Sequence, residues 1–182
     1  MIKSKYGFFD KSLLISIITL AWPTMLQELM QTAVQYIDTA MVGSLGTGAT
    51  AAVGATTTIN WLVNSTVSAI GIGFLALISQ AYGAGDKSLA KKASSQAVLL
   101  TVISGAVFTA LCLGLSPFVP IWMQVEPQIQ NMAAMYFFVL YSPMLFRAAI
   151  IIFGTVLRAV GDTKTPMLVG LFVNIINVIL NF

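Results

Sequence analysis

The sequence contains no histidine, a single cysteine and very little charge. Without histidine, neither a His-ligated metal site nor a Ser-His or Cys-His catalytic pair is available. Cys112 has no partner for an internal disulfide, and it lies in an apolar run where a small buried residue is expected. These absences indicate that the protein is not an enzyme and that it has no cofactor and no structural metal.

Charged residues make up only 8% of the chain, whereas hydrophobic residues make up 58% and the mean hydropathy is +0.90. Soluble domains are about 25% charged. The composition therefore predicts a membrane protein whose main partner is the lipid bilayer. The net charge of +3 is too small and too dispersed to indicate binding to nucleic acid.

Five apolar stretches are long enough to cross a bilayer, which takes about 20 helical residues. We expect an all-α polytopic fold in which residues 1–11 form an N-terminal segment and residues 12–182 form one transmembrane lobe. Pro23 should bend the first helix, and Pro143 should bend or break the fourth. The predicted helices cover residues 12–42, 51–82, 93–115, 128–160 and 166–182.

Small residues on the third helix indicate a packing surface. Ala106, Ala110 and Gly114 recur every four residues, a spacing that suits close approach of another helix. At the end of the chain, the fifth apolar pattern continues through Phe182 without a cap or a charged flank. We therefore expect the sequence to be a fragment that stops within or just after a helix.

Apart from Arg147, the basic residues are confined to alternate loops and flanks. They are absent from the segments 43–48 and 116–127, so the positive-inside rule predicts a cytoplasmic N-terminus in the plasma (inner) membrane. The loop and flank residues that carry this bias are Lys3, Lys5, Lys11, Lys87, Lys91, Lys92, Arg158 and Lys164.

The first helix carries one polar stripe on an otherwise apolar surface. At about 100° per residue its members fall within an arc of roughly 100°. Asp38 is the outermost member, and an acid at membrane depth usually marks a path for an ion or a proton. The alternative is an interfacial Asp38 that caps the turn before Gly43. The stripe consists of Thr24, Gln27, Glu28, Gln31, Gln35 and Asp38.

Two further charges lie deep in the predicted helices. Glu28 is about 21 Å from the cytoplasmic boundary of the first helix, and Arg147 is about 17 Å from that of the fourth. Because these depths are similar, we expect a buried, structural ion pair between Glu28 and Arg147.

Polar residues also align on the second and fifth helices. Each asparagine could be an interhelical hydrogen-bonding residue or part of a wet cavity. Three aligned stripes favour a cavity that binds the substrate, and we expect it to be lined by Gln31, Gln35, Asn60, Asn64 and Asn174.

Four segments resemble the multidrug and toxic compound extrusion (MATE) family. They are residues 36–43 after Pro23 and Gln31, residues 80–86, residues 157–166, and residues 177–181. The resemblance covers nearly the whole chain. It implies a twelve-helix antiporter made of two six-helix lobes, of which this chain would be the N-terminal lobe without its sixth helix. The missing C-terminal lobe would then be a partner.

The resemblance also implies a function. Members of the family export cationic or amphipathic compounds in exchange for H⁺ or Na⁺. Asp38 matches the aspartate that binds the coupling ion, so a sodium site there is possible, and Asn177 and Asn181 match a pair beside it. Some members carry aspartate where this chain has Asn181, a departure that argues against a proton relay between two acids. The alternatives are a lipid-linked oligosaccharide flippase of the same superfamily, against which the acidic stripe weighs, and a non-transporting membrane scaffold.

Overall fold

The computed structural model describes residues 11–181, without the side chain of Asn181, and this part of the chain is helical and has no strand. The predicted N-terminal segment lies outside the described residues, except for Lys11. The helices are α1 (Lys11–Ser44), α2 (Thr47–Gly83), α3 (Lys87–Leu115), α4 (Val119–Trp122), α5 (Gln130–Tyr141), α6 (Met144–Ala159) and α7 (Lys164–Asn181).

Helices α1, α2 and α3 are each long and apolar enough to cross a membrane. Helices α5 and α6 meet the same requirement as one bent pair, and α7 is apolar but shorter. Large apolar side chains cover the outer surface, such as Leu29 at 67% exposure and Phe172 at 65%. The protein is an all-α polytopic membrane protein, as predicted. By length alone, four of the five predicted spans qualify.

The two prolines behave differently. The predicted fourth helix is broken, as expected, because α5 ends at Tyr141 and α6 begins at Met144, with a bend of 48° between them. Pro143 lies at the break, where its missing N–H removes no helical hydrogen bond. Pro23, in contrast, lies inside a continuous α1 and is buried.

The core of the bundle is formed by α2, α3, α5 and α6. Phe137 and Tyr141 from α5 lie at its centre, with their ring centroids 4.4 Å apart. Both side chains are almost fully buried, at 1% and 0% exposure. The buried cluster around them contains Val63, Val67, Ala97, Cys112, Val119, Met144, Ala148 and Ile152.

Glycines mark the closest helix crossings. A Cβ at Gly105 of α3 would lie 2.9 Å from the Cα of Leu145, and one at Gly71 of α2 would lie 3.0 Å from the hydroxyl of Thr155. The predicted packing surface on α3 is wrong, because its three residues are exposed. A neighbouring row makes the contact instead, and it comprises Ala90, Ala93, Ala97, Thr101, Ser104 and Gly105.

Helix α1 packs chiefly on α7 and makes only limited contact with α2. At their interface the side-chain amide of Gln27 lies against Gly170, where an added Cβ would approach Nε2 to 3.1 Å. Helix α7 in turn contacts α6 only sparsely. The α1/α7 pair therefore stands beside the four-helix core and leaves a cleft between them.

Two loops at one end of the bundle have the same construction. Gly85 and Gly161 adopt the left-handed conformation, with φ of 79° and 89°. The following residues, Asp86 and Asp162, donate their backbone N–H to Ala81 and Leu157, and each carboxylate then accepts a backbone N–H from the next helix. Glycine ends one helix and aspartate caps the next. We call this end the basic end, because Lys87 and Lys164 lie there.

Candidate functional site

A cavity of about 790 Å³ occupies the cleft between the α1/α7 pair and the four-helix core. Its volume is in the range of sites for small organic molecules. Polar residues come from three helices: Gln27, Glu28 and Gln31 on α1, Asn64 and Ser68 on α2, and Arg147, Thr155 and Arg158 on α6. The walls are apolar and include Ile72, Leu75, Phe146, Ile150, Phe153 and Val169.

Arg147 is held from α2 and α5. Its Nη2 donates to Oδ1 of Asn64 at 3.1 Å and, more weakly, to Oδ1 of Asn60 at 3.4 Å. Its guanidinium carbon lies 5.7 Å from the ring centroid of Tyr141, a cation–π distance. The hydroxyl of Tyr141 donates to the same Asn60 oxygen at 3.1 Å. These contacts tie α6 to α2 across the break at Pro143.

Arg158 is held from α1. Its Nη2 donates to Oε1 of Gln27 at 2.9 Å. Because Gly170 has no side chain, Gln27 can lie between α1 and α7 and reach this arginine. Gln27 thus connects α1 to α6.

The predicted ion pair between Glu28 and Arg147 is wrong as a contact. Both residues line the same cavity, so the depth comparison placed them correctly. However, Arg147 donates to two neutral amides, and Glu28 is exposed. Within residues 11–181, no ion pair joins the two residues. Asn60 and Asn64 on the adjacent helix α2 accept the hydrogen bonds of Nη2 instead.

The predicted cavity residues divide into two groups. Gln31 and Asn64 line the 790 Å³ cavity, whereas Gln35, Asn60 and Asn174 are not part of its lining. Asn60 has the interhelical role, since it accepts hydrogen bonds from both Tyr141 and Arg147. Asn64 serves both purposes, because it donates to Asn60 at 2.8 Å and also borders the cavity.

Asp38 lies on α1 beyond the cavity and is half-buried. If the contact of Gln27 with Gly170 sets the register of the parallel α1 and α7, Asp38 is about 16 Å further along. Asn177 and Asn181 follow Gly170 by about 10 and 16 Å. In that register Asp38 lies near the height of Asn181, whose side chain is outside the described part, and Asn177 lies about one helical turn away along α7.

Two residues that matter to the site were not identified from the sequence: Arg158, which lines the cavity, and Tyr141, a core residue that contacts Arg147. Tyr141 was read as part of an apolar helix, and Arg158 only as an indicator of orientation. A signal for Arg158 was present: it follows Arg147 by eleven residues, which returns a helix to the same face within about 20°. Tyr141 has no such signal, since its contact with Arg147 depends on the angle at the break.

Comparisons with known proteins agree with this fold. The probable multidrug resistance protein NorM of Thermotoga maritima is 29% identical over 166 residues, covering 91% of this chain and 36% of the relative. The probable multidrug resistance protein YpnP of Bacillus subtilis is 29% identical over 177 residues, covering 96% and 40%. The chain therefore spans two fifths or less of the length of these two relatives.

A crystal structure of MATE in complex with MaD3S has a TM-score of 0.87 to this chain at 24% identity, over 91% of this chain and 37% of that one. This likeness shows the shared helical fold. The family model of MatE matches residues 23–182, which is most of the sequence. The match confirms the resemblance carried by the four motifs: the chain belongs to the MatE family.

Proposed function

We propose that this chain forms part of a secondary active exporter in which Asp38 exchanges a coupling ion, H⁺ or Na⁺, for a cationic or amphipathic substrate. The observation that carries the proposal is the half-buried Asp38 on a helix long and apolar enough to span a membrane. Multidrug resistance names among the relatives support export, and they do not favour the flippase.

The mechanism follows from the two states of a carboxyl group in a membrane. Desolvation favours the neutral, protonated form, and a bound cation favours the charged form. Asp38 would therefore hold either a proton or a cation. Between residues 11 and 181 no three His, Cys, Asp or Glu side chains converge. A sodium ion would accordingly rely on one carboxylate and on neutral oxygens such as that of Asn177.

Movement of the α1/α7 pair against the four-helix core would connect this exchange to transport. The pair is held to the core by few contacts, among them the bond from Arg158 to Gln27. Alternating access in transporters commonly comes from one rigid unit rocking against another. In the full-length protein a C-terminal lobe would complete the pathway. The loops of the basic end would face the cytoplasm, as would the N-terminus, in the plasma membrane.

The test is ion-driven efflux of a fluorescent organic cation from vesicles that contain the full-length protein. Asp38→Asn should abolish efflux while expression and folding remain normal, because asparagine cannot exchange a proton or neutralise a cation. Glu126→Gln is the matched control, since it removes an exposed acid from the loop between α4 and α5, outside the cavity, and should keep efflux. Normal efflux by the Asp38→Asn protein would refute the proposal. A non-transporting scaffold would show no efflux even as the wild-type protein.

A further inference from the structure

Two arginines on one face of α6 have hydrogen-bonding capacity that the protein does not fill. Arg147 and Arg158 are eleven residues apart, so they project from the same side of the helix about 16 Å apart along its axis. Nη1 of Arg147 and Nε of Arg158 are buried and have no acceptor among the described residues. Buried N–H groups without an acceptor are rare, and each one is costly to maintain.

The charge of these arginines is also uncompensated. Their acceptors, Gln27, Asn60 and Asn64, are all neutral amides. Glu28 supplies the one carboxylate on the cavity wall and lies outside ion-pair distance of both guanidinium groups. Arginines inside a membrane protein usually pair with an anion or a carbonyl oxygen. The cavity wall thus carries two positive groups and one negative group.

We propose that this cavity binds an amphipathic molecule whose anionic oxygen group, a phosphate or a carboxylate, is held by Arg158, while Arg147, about 16 Å deeper, adds positive charge to the same cavity. Guanidinium groups match the geometry of both anions and form strong charge-assisted hydrogen bonds with them. The apolar wall between and around the arginines would contact the hydrocarbon or aromatic part of the ligand. This site is separate from Asp38, and it does not depend on that residue being the coupling site.

The position of the cavity leaves two sources for the anion. Arg158 is in the last turn of α6, near the basic end, where the phosphates of lipid headgroups lie. Arg147 is about three helical turns deeper. An anionic lipid could enter with its headgroup at Arg158, and a soluble amphipathic anion could enter the same space from the aqueous side. The chemistry at the arginines is identical for both.

Glu28 provides a second test of the proposal, because its charge has the opposite sign to that of the arginines. A carboxylate on the wall opposes an incoming anion, so removing its charge should strengthen binding. Replacing Arg158 with glutamine should weaken binding while a hydrogen bond to Gln27 remains possible. Opposite effects from two conservative substitutions in one cavity cannot result from a general loss of folding.

The experiment is calorimetric titration of the full-length protein in phosphatidylcholine nanodiscs with dodecyl phosphate. Wild type should bind it, Arg158→Gln should bind about tenfold more weakly, and Glu28→Gln should bind several-fold more tightly. Asp38→Asn should bind as wild type does, which separates this site from the proposed coupling site. Dodecyltrimethylammonium, a cation with the same alkyl chain, should show no loss of affinity in Arg158→Gln.

Competition identifies the source of the anion. Displacement of dodecyl phosphate by phosphatidylglycerol in the nanodisc would assign the site to a lipid headgroup, and displacement by inorganic phosphate would assign it to a soluble anion. Equal affinity for dodecyl phosphate in wild type, Arg158→Gln and Glu28→Gln would overturn the proposal. The proposal would also be overturned if dodecyltrimethylammonium bound more tightly than dodecyl phosphate and lost that affinity in Glu28→Gln.

Discussion

Asp162 illustrates how a single residue sets the start of a helix. Its carboxylate accepts the backbone N–H of Thr165 at 3.0 Å and the Thr165 hydroxyl at 2.6 Å. These hydrogen bonds hold the pKa of Asp162 below its usual value of 3.8. Because the carboxylate is the form that caps α7, its contribution to stability is present above that value and is lost as the pH falls through the lowered pKa.

We therefore expect wild type to be more stable than Asp162→Asn at neutral pH, with an advantage that shrinks as the pH falls below 3.8. Asparagine still caps a helix, but it has no charge to lose. The measurement is the thermal unfolding midpoint of both proteins in detergent across this pH range. An advantage that stays constant below pH 3.8 would show that the charge of Asp162 does not stabilise the fold.

At the scale of single residues, the sequence predicted which residues lie near the cavity better than it predicted their hydrogen-bonding partners. Periodicity predicted Gln31 and Asn64 as cavity residues, and both line the cavity, because the angle between residues of one helix is fixed. It did not predict that Arg147 would donate a hydrogen bond to Asn64 rather than form an ion pair with Glu28. That choice depends on the rotation of α1 relative to α6, which no pattern within either helix encodes.

At the scale of the elements, close helix approach depends on Gly105. An added Cβ there would meet the backbone of Leu145, which cannot move as a side-chain end can. Gly105→Ala should therefore destabilise the protein by about 1–3 kcal/mol, the usual cost of overpacking. Gly114→Ala, on the same helix and with nothing within 4 Å, is the control and should have little effect.

The measurement for both glycine variants is the free energy of unfolding in mixed micelles. Equal stability of Gly105→Ala and Gly114→Ala would contradict the close crossing of α3 and α6. The small residues of α3 form two interleaved rows along the helix. The row that was predicted to pack on another helix is exposed. Within an apolar helix, composition cannot distinguish a face that packs on another helix from one that contacts lipid.

At this scale the sequence predicted both the interruption near Pro143 and a single first helix that runs through Pro23. A proline has two outcomes in a membrane helix, a break or tolerance by its neighbours. Pro143 is exposed at a break of two residues, and Pro23 is buried among packed side chains. Tertiary packing decided between these outcomes.

At the scale of the whole molecule, the α1/α7 pair should move as one body. Spin labels at Ser16 of α1 and Ser95 of α3, both exposed, report the distance from the pair to the core. In the full-length protein, with Cys112 replaced by alanine, this distance should change when the pH or the sodium concentration changes. Labels at Ser16 and Thr165, both within the pair, should keep their distance and serve as the control.

Pulsed electron–electron resonance measures both distances. A constant distance between Ser16 and Ser95 under every ion condition would contradict movement of the pair against the core. A change within the pair would show that α1 and α7 separate from each other instead. Either result would still leave the ion site to be tested at Asp38.

The central claim is that Asp38 exchanges an ion for the substrate, and ion release on substrate binding tests it most directly. When an organic cation is added to the weakly buffered, purified full-length protein, wild type and Glu126→Gln should release protons, or bound sodium if that is the coupling ion. Asp38→Asn should bind the cation and release neither ion. Release of the same amount of ion by Asp38→Asn as by wild type would contradict the account.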